Sequence, residues 1–230
     1  MEFKQSLQLG VFKKRYKRFF ADILINNELV IAHTANTGSM TSCLGEDWNA
    51  LVSYHDSPTR KLKYSLEMTH NGKSWIGVNT SITNSLAIEA IQNGVISELA
   101  NYEEIKPEVK IGNSRIDILL SNGTYKCYVE VKNVTLVNHD GHCLFPDSVS
   151  ERGQKHLREL IEIKQNGSRA VLLFIVQRED CHSFNVHQDI DVKYRELLLT
   201  AMDCGVEVLV YQCKLSPLEI IVNKKLPILK

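Results

Sequence analysis

Ser114–Lys132 reads SRIDILLSNGTYKCYVEVK, and this stretch decides the architecture of the larger part of the chain. Two runs, RIDILLS (115–121) and YKCYVEVKNVTL (125–136), are rich in apolar and β-branched residues. Between them stands Asn122-Gly123, a dipeptide that accepts the positive φ of a tight hairpin. The stretch is therefore predicted as two antiparallel strands. Side chains alternate along a strand, so Glu130 and Lys132 project together while Val131 points into the core. Tyr128 shares the Glu130 face, so that face is not simply a wet one. Pairing RIDILL with CYVEVK brings Asp117 alongside Glu130. Two carboxylates and one ammonium then meet on one face of a sheet.

Such a group has an obvious use. Hard divalent cations take carboxylate oxygens, and Mg²⁺ commonly binds through one or two carboxylates plus substrate phosphate. A cation held by Asp117 and Glu130 would activate a water and stabilise charge developing on a phosphate. Lys132 would orient that water or hold the scissile phosphate. The same D…ExK pattern also describes an ion pair on a half-exposed strand. Three neighbours favour a site. Both strands continue into apolar residues. Glu98 ends an upstream helical segment and offers a third carboxylate. Gln154 precedes Leu157 and Ile161 at helical spacing, so it shares the inward stripe, where a polar residue needs a partner.

The surrounding pattern separates two units. Residues 1–80 read as short strands with turn signals: RFFADILI (18–25), ELVIAH (28–33), ALVSYH (50–55), KYSLEMTH (63–70) and SWIGVN (74–79). About five strands in this length fit a five-stranded Greek-key barrel of the OB type. After residue 80 the period changes. Asn84–Asn93 and the following Gly94–Leu99 have helical spacing, Ser148–Asn166 is a second helix, and Val192–Cys204 a third. Either Ser148 or Ser150 caps the second. AVLLFIVQ (170–177) is apolar throughout and is predicted as a strand buried on both faces, followed by VEVLVYQC (206–213). The predicted fold is mixed α+β: a small β-barrel over 1–82, then an α/β domain with a mixed central sheet over 83–230.

Composition bounds the function. Of 230 residues, 43% are hydrophobic and 23% charged, as in soluble globular proteins. No run reaches the roughly 20 apolar residues of a membrane helix. The first residues lack the apolar core of a secretory signal, so the expected location is the cytoplasm. Lys plus Arg equals Asp plus Glu at 27, so net charge gives no sign of an anionic partner. The six cysteines include no C-x-x-C pair and are expected as reduced, mostly buried thiols.

The segments RYKRFFADI, ANTGSM, SRIDILL, CYVEVKNVTL, FPDSVSERGQKHLREL and GVEVLVY resemble the bacterial sugar fermentation stimulation protein A family, over essentially the whole chain. The resemblance implies an N-terminal OB-fold domain and a C-terminal PD-(D/E)XK nuclease-like domain. It also implies DNA binding with little sequence preference, and its name records an effect on sugar, notably maltose, utilisation. In nucleases of that fold, an acid on the first helix, the motif Asp, the Glu and the Lys form the active site. Carried onto this chain these are Glu98, Asp117, Glu130 and Lys132, with Gln154 as an additional helix residue and Mg²⁺ or Mn²⁺ as the cofactor. Two departures stand out. Ile116, not Pro, precedes Asp117, and Glu89, Glu103 and Glu104 compete with Glu98 for the helix position. Two functions follow: a metal-dependent nuclease, or a catalytically silent, non-specific DNA-binding regulator linked to sugar metabolism.

The remaining candidates are phosphate contacts. Lys13, Lys14, Arg15, Lys17 and Arg18, with Tyr16 interleaved, suit a strand on which bases stack; they equally suit a solvated hairpin edge. Arg60, Lys61 and Lys63 form a weaker cluster. Arg152 and Lys155 sit at a helix N-terminus, where cations oppose the dipole unless they meet an anion. The segment His33–Met40 is either a phosphate cradle or a tight barrel turn. Asp147 either caps the following helix or lines the site. His139, His142 and His156 offer metal ligands or proton shuttles, but their irregular spacing favours loop and surface histidines. The expected partner is nucleic acid, DNA first, with no membrane; the oligomeric state is left open, a homodimer included.

Overall fold

The structure, a computed structural model, describes residues 1–112 and 114–229. Six strands form the first unit: β1 (Gln8–Tyr16), β2 (Phe20–Ile25), β3 (Glu28–His33), β4 (Asn49–Tyr54), β5 (Tyr64–His70) and β6 (Trp75–Gly77). Antiparallel pairing runs β3-β2-β1-β4-β5-β6. Parallel contacts Ala32–Tyr64 and His33–Ser65 join β3 to β5 and close the barrel. Its interior is narrow and holds small or medium side chains, among them Ala21, Ile23, Ala32, Ala50 and Val52, all fully buried. Gly10 belongs to this crowding: a Cβ there would lie 2.6 Å from Ile23. The turn between β2 and β3 is Asn26-Asn27 at φ 48° and 67°, the mirror-image turn that matches strand twist.

The barrel is of the OB type, as the strand pattern predicts, but its first strand is not among those predicted. β1 covers the cationic run Lys13–Arg18 up to Tyr16. Only Gly10 and Phe12 of β1 are fully buried, so five nearby cations hide its alternation.

The second unit contains α1 (Thr83–Gln92), β7 (Glu104–Ile111), β8 (Ser114–Asn122), β9 (Tyr125–Val134), β10 (Leu136–Val137), β11 (His142–Phe145), α2 (Glu151–Gln165), β12 (Arg169–Val176), β13 (Ser183–Val186), α3 (Val192–Asp203), β14 (Glu207–Leu215) and β15 (Ile220–Lys225). Its main sheet runs β15-β14-β12-β9-β8-β7, with β9, β12 and β14 parallel and the outer pairs antiparallel. β12 is buried on both faces. Val171, Leu173 and Ile175 pack with Leu86, Ala87 and Ala90 of α1. Leu172, Phe174 and Val176 pack with Leu157 and Leu160 of α2 and Leu198 of α3. Pro107 is tolerated in β7 because that strand is an edge. No described helix is long and apolar enough to cross a membrane.

Boundaries shift where local chemistry outweighs periodicity. The helix predicted from Ser148 begins at Glu151, because the Ser150 hydroxyl caps it by accepting from the Gly153 N–H at 2.9 Å. The helical spacing over Gly94–Leu99 becomes a break at Gly94 (φ 71°) and one short turn, Ser97–Leu99. The cysteine expectation is corrected. Cys143 and Cys181 form a disulfide with Cα atoms 5.9 Å apart, because β11 pairs in parallel with β13 and brings these segments together. Cys43, Cys127, Cys204 and Cys213 are free thiols.

Arg178 joins the two units. Its side chain is 1% exposed. Nε and one terminal nitrogen donate to the two Asp180 oxygens at 2.6 and 2.7 Å. The other terminal nitrogen donates to the Thr135 carbonyl at 2.5 Å and to the hydroxyl and carbonyl of Ser42 on the barrel. Asp180 also accepts from Asn71 of the barrel at 2.6 Å. Removing one member of a buried pair strands the other's charge, so Arg178→Met should cost about 3–5 kcal/mol. Calorimetry should show Tm falling by roughly 10 °C, and a drop of less than about 2 °C would show that the pair does not hold the junction.

Candidate active site

The β8–β9 hairpin positions the first pair. Its register matches Ile118 to Val129, which sets Asp117 and Glu130 where the backbone ladder ends. Asp117 replaces the next rung with its side chain: one carboxylate oxygen accepts the Val131 N–H at 2.8 Å. The other accepts from the Asn84 amide, on α1, at 3.0 Å. Glu130 lies on the α2 face and is 2% exposed. Its Oε1 accepts from Lys132 Nζ at 2.6 Å and meets His156 Nδ1. Lys132 Nζ lies 3.2 Å from the same imidazole nitrogen. Glu130 Oε2 makes no hydrogen bond among the described residues.

The two carboxylates are driven apart electrostatically. Burial raises the Asp117 pKa, and the charge of Glu130 raises it further, outweighing the donors from Val131 and Asn84. Burial also pushes Glu130 upward, but the donors His156 and Lys132 bring it below the ordinary carboxylate range. Paired acids with separated affinities for protons mark functional sites. The donor set suits a hard cation: two carboxylates, one with an uncommitted oxygen, carrying mutual repulsion that a divalent ion would relieve. It is no all-protein cage, since no three His, Cys, Asp or Glu side chains converge among the described residues. Two carboxylates with the rest from water and phosphate is the usual Mg²⁺ arrangement.

Gln154 is buried, as its stripe predicts, but its partner is Asp191 and not the Asp117–Glu130–Lys132 cluster it is expected to join. Its Nε2 donates to the two Asp191 oxygens at 2.9 and 3.2 Å. Asp191 also accepts from the Ser150 and Tyr194 N–H groups, both at 2.9 Å. Gln154 thus ties the start of α2 to the start of α3 and fixes the helix that carries His156. The Tyr194 hydroxyl is buried nearby without a hydrogen-bond partner among the described residues.

Glu98 is not brought to this cluster. It sits over the β14–β15 edge, where its carboxylate accepts from Tyr211 Oη at 2.5 Å and Lys225 Nζ at 2.6 Å. The α1 residue that touches Asp117 is Asn84, which carries no charge. His156, expected as a loop or surface histidine, is instead buried on α2 against Glu130, and Asp191 is not singled out in the sequence. His156 precedes Leu160 by one helical turn and follows buried Gly153, so the inward count that finds Gln154 finds it too.

A cleft of about 350 Å³ opens on Lys132 and Asn84. One wall is the barrel loop Asn36–Gly38; the other includes Phe145–Ser148 and Arg152. The loop is held from behind. Arg15 donates to the carbonyls of Asn36, Gly38 and Ser39, and the Gly38 N–H donates to the Asn36 side chain. Asp147 is no helix cap. It lies against Gly38 so closely that a Cβ there would be 2.2 Å from its carboxylate.

The cationic strip divides by use. Lys13 pairs with Asp47 at 2.5 Å, Lys14 with Asp22 at 3.5 Å, and Arg15 is spent on the loop. Tyr16 stacks on Phe20 at 5.6 Å. Lys17 and Arg18 stand exposed in the β1–β2 turn. Arg60 donates to Ser65 at 2.9 Å and Lys61 is exposed. Lys155 donates to Ser114 at 2.7 Å, and Arg152 Nε lies 3.4 Å from His156 Nε2. His139 and His142 lie on the segment around β11, His139 exposed.

Comparison with known proteins places the two units in known domain families. Residues 14–78 match the SfsA N-terminal OB domain and residues 81–219 the sugar fermentation stimulation protein RE domain. A sugar fermentation stimulation protein homolog of Geotalea daltonii is 49% identical over 222 residues, 96% of each chain. One from Pseudoalteromonas atlantica is 46% identical over the full length of both. The solved structure of Pyrococcus furiosus SfsA in complex with Ca²⁺ matches with a TM-score of 0.89 at 26% identity, covering 100% of this chain and 98% of that one.

The Glu98 environment has a measurable signature. Burial opposes its charge, but the Lys225 and Tyr211 donors prevail and lower its pKa from 4.5 to about 2. A depressed acid contributes stability above its unfolded pKa and loses it as pH falls toward the folded one. Glu98→Gln should therefore have a lower denaturation midpoint than the unmodified chain at pH 6. That gap should narrow below about pH 4.5; a gap independent of pH would refute the pairing.

Proposed function

The chain belongs to the sugar fermentation stimulation protein family, and from that footing we propose that it binds nucleic acid and hydrolyses phosphodiesters with a divalent cation. The observation that carries this reading is the set Asp117, Glu130 and Lys132, gathered at the end of one hairpin, with Lys132 opening on a cleft between barrel and sheet and the two carboxylates, buried Glu130 and half-buried Asp117, behind it. Glu130 and Asp117 would hold the cation, Mg²⁺ or Mn²⁺. The relative solved in complex with Ca²⁺ supports a hard divalent ion at this fold. When bound, the ion supplies Lewis-acid polarisation of the phosphate and acidifies a water.

The protein's own groups do the rest. Lys132 reaches the cleft with 15% of its side chain exposed, so its ammonium faces an incoming phosphate while Glu130 orients it. His156 meets the same Glu130 oxygen as Lys132, which leaves Oε2 uncommitted. Asn84 and the Val131 N–H fix both Asp117 oxygens. Gln154 and Asp191 hold α2 in register with the sheet. Lys17 and Arg18, exposed beside stacked aromatics, engage the phosphate backbone without reading bases.

The test is cleavage of supercoiled plasmid, linear duplex and single-stranded DNA with Mg²⁺, Mn²⁺ or EDTA. Cleavage should require metal and fall by at least about 10²-fold in Glu130→Gln and Lys132→Ala, the scale on which one preorganised charge acts. Circular dichroism of each variant separates a lost site from a lost fold. Binding without cleavage in any metal would support the silent DNA-binding regulator instead. Charge reversal at Lys17 and Arg18 should weaken binding equally across sequences, and selective loss at one sequence would contradict backbone contact.

A further inference from the structure

A second concavity lies on the far side of the cluster. This groove encloses about 700 Å³ between the start of β8, the first turns of α2 and the start of α3. Five cations line it: Arg115, Arg152, Lys155, Arg158 and Lys193, against one carboxylate, Glu151. Arg115 pairs with Glu108 at 3.1 Å and Lys155 with Glu159 at 3.5 Å. Arg158 and Lys193 are exposed and have no ion-pair partner among the described residues. Cations on one helix face are commonly a solvated surface. These converge from three elements on a concave wall, and two of them stand in the first turns of α2 against its dipole.

The groove and the cleft share a boundary. Arg152 lines both. Lys132 lines the cleft and His156 the groove, and both contact the same Glu130 oxygen. The reactive cluster is therefore the ridge between them. The cleft, at about 350 Å³, lies near the lower limit for a small-molecule pocket, a size that matches one nucleotide-sized unit of an unpaired strand. Its walls belong to two units fastened by buried Arg178.

We infer that the groove is the continuation of the cleft, and that a single-stranded nucleic acid crosses the Lys132–Glu130 ridge with its backbone phosphates running on to Arg158 and Lys193. The assignment rests on the nucleic-acid reading above and extends it to strandedness and path.

The experiment measures binding of a fluorescein-labelled 20-nucleotide single strand in EDTA, where no cleavage occurs. A 20-base-pair duplex is the comparison. The proteins are the unmodified chain and an Arg158→Glu/Lys193→Glu variant whose melting temperature confirms folding. The single strand should bind more tightly than the duplex. The double variant should bind it about tenfold more weakly, the effect of one lost contact-scale increment. Its slope of log K against log salt should be shallower by about 1.4, two phosphates at about 0.7 each. Unchanged affinity and slope would overturn the path, as would a duplex that binds as tightly as the single strand. If the unmodified chain binds neither nucleic acid, the parent reading fails with it. Binding with the groove effect but no cleavage in metal removes the nuclease and leaves the path standing.

Discussion

A guanidinium removed from water needs every donor answered, and Arg178 is 1% exposed. Its partners come from both units: Asp180 and Thr135 on the sheet side, Ser42 on the barrel side. A displaced barrel would leave that charge short of acceptors, so the requirement fixes the barrel's position. Gly77 adds a backbone bond to the Gln177 carbonyl, and Ile76 forms a bridge with Arg178 itself. These contacts place the Asn36–Gly38 loop opposite Asn84 and Lys132. The cleft is thus a consequence of satisfying one buried cation at the end of β12.

The site repeats the same constraint with the opposite sign. Glu130 is a carboxylate in a strand whose neighbour, β12, is apolar on both faces. Burial alone would neutralise it. Lys132 and His156 prevent that, and each is placed by regular structure: Lys132 by the two-residue period of β9, His156 by α2. α2 is held in turn by Ser150, Gln154 and Asp191. Asp117 has only neutral donors, so it remains the carboxyl that a cation or a proton would complete. The asymmetry between two acids on one hairpin follows from which elements cover each.

Much of this is legible in the chain, and the parts that are not share a cause. The hairpin, the doubly buried strand, the three helices and the barrel all carry local patterns, and the Asp117–Glu130 register follows from counting back from Asn122-Gly123. β1 was hidden because its cations mask alternation. β11 and β13 pair across 40 residues of chain, and with them Cys143 and Cys181 meet; no local signal announces that. Glu98 has the residue type expected of a helix acid at about the right distance in sequence. Its position over β14 and β15 depends on how the chain returns after α3. Spacing can nominate a carboxylate, but only topology decides which edge of the sheet it meets.

Charge shows the same limit more sharply. Net charge is zero, and the densest cationic run lies on β1. Three of its five cations are engaged: two in ion pairs and Arg15 under the cleft loop. The groove cations are scattered through the sequence at 115, 152, 155, 158 and 193, so no window of residues reveals them. A guanidinium on β1 therefore shapes the cleft, whereas Arg158 and Lys193 remain free to meet an anion. What a cation can bind is decided by the acceptors its fold leaves around it, and a census of charges cannot separate these two fates.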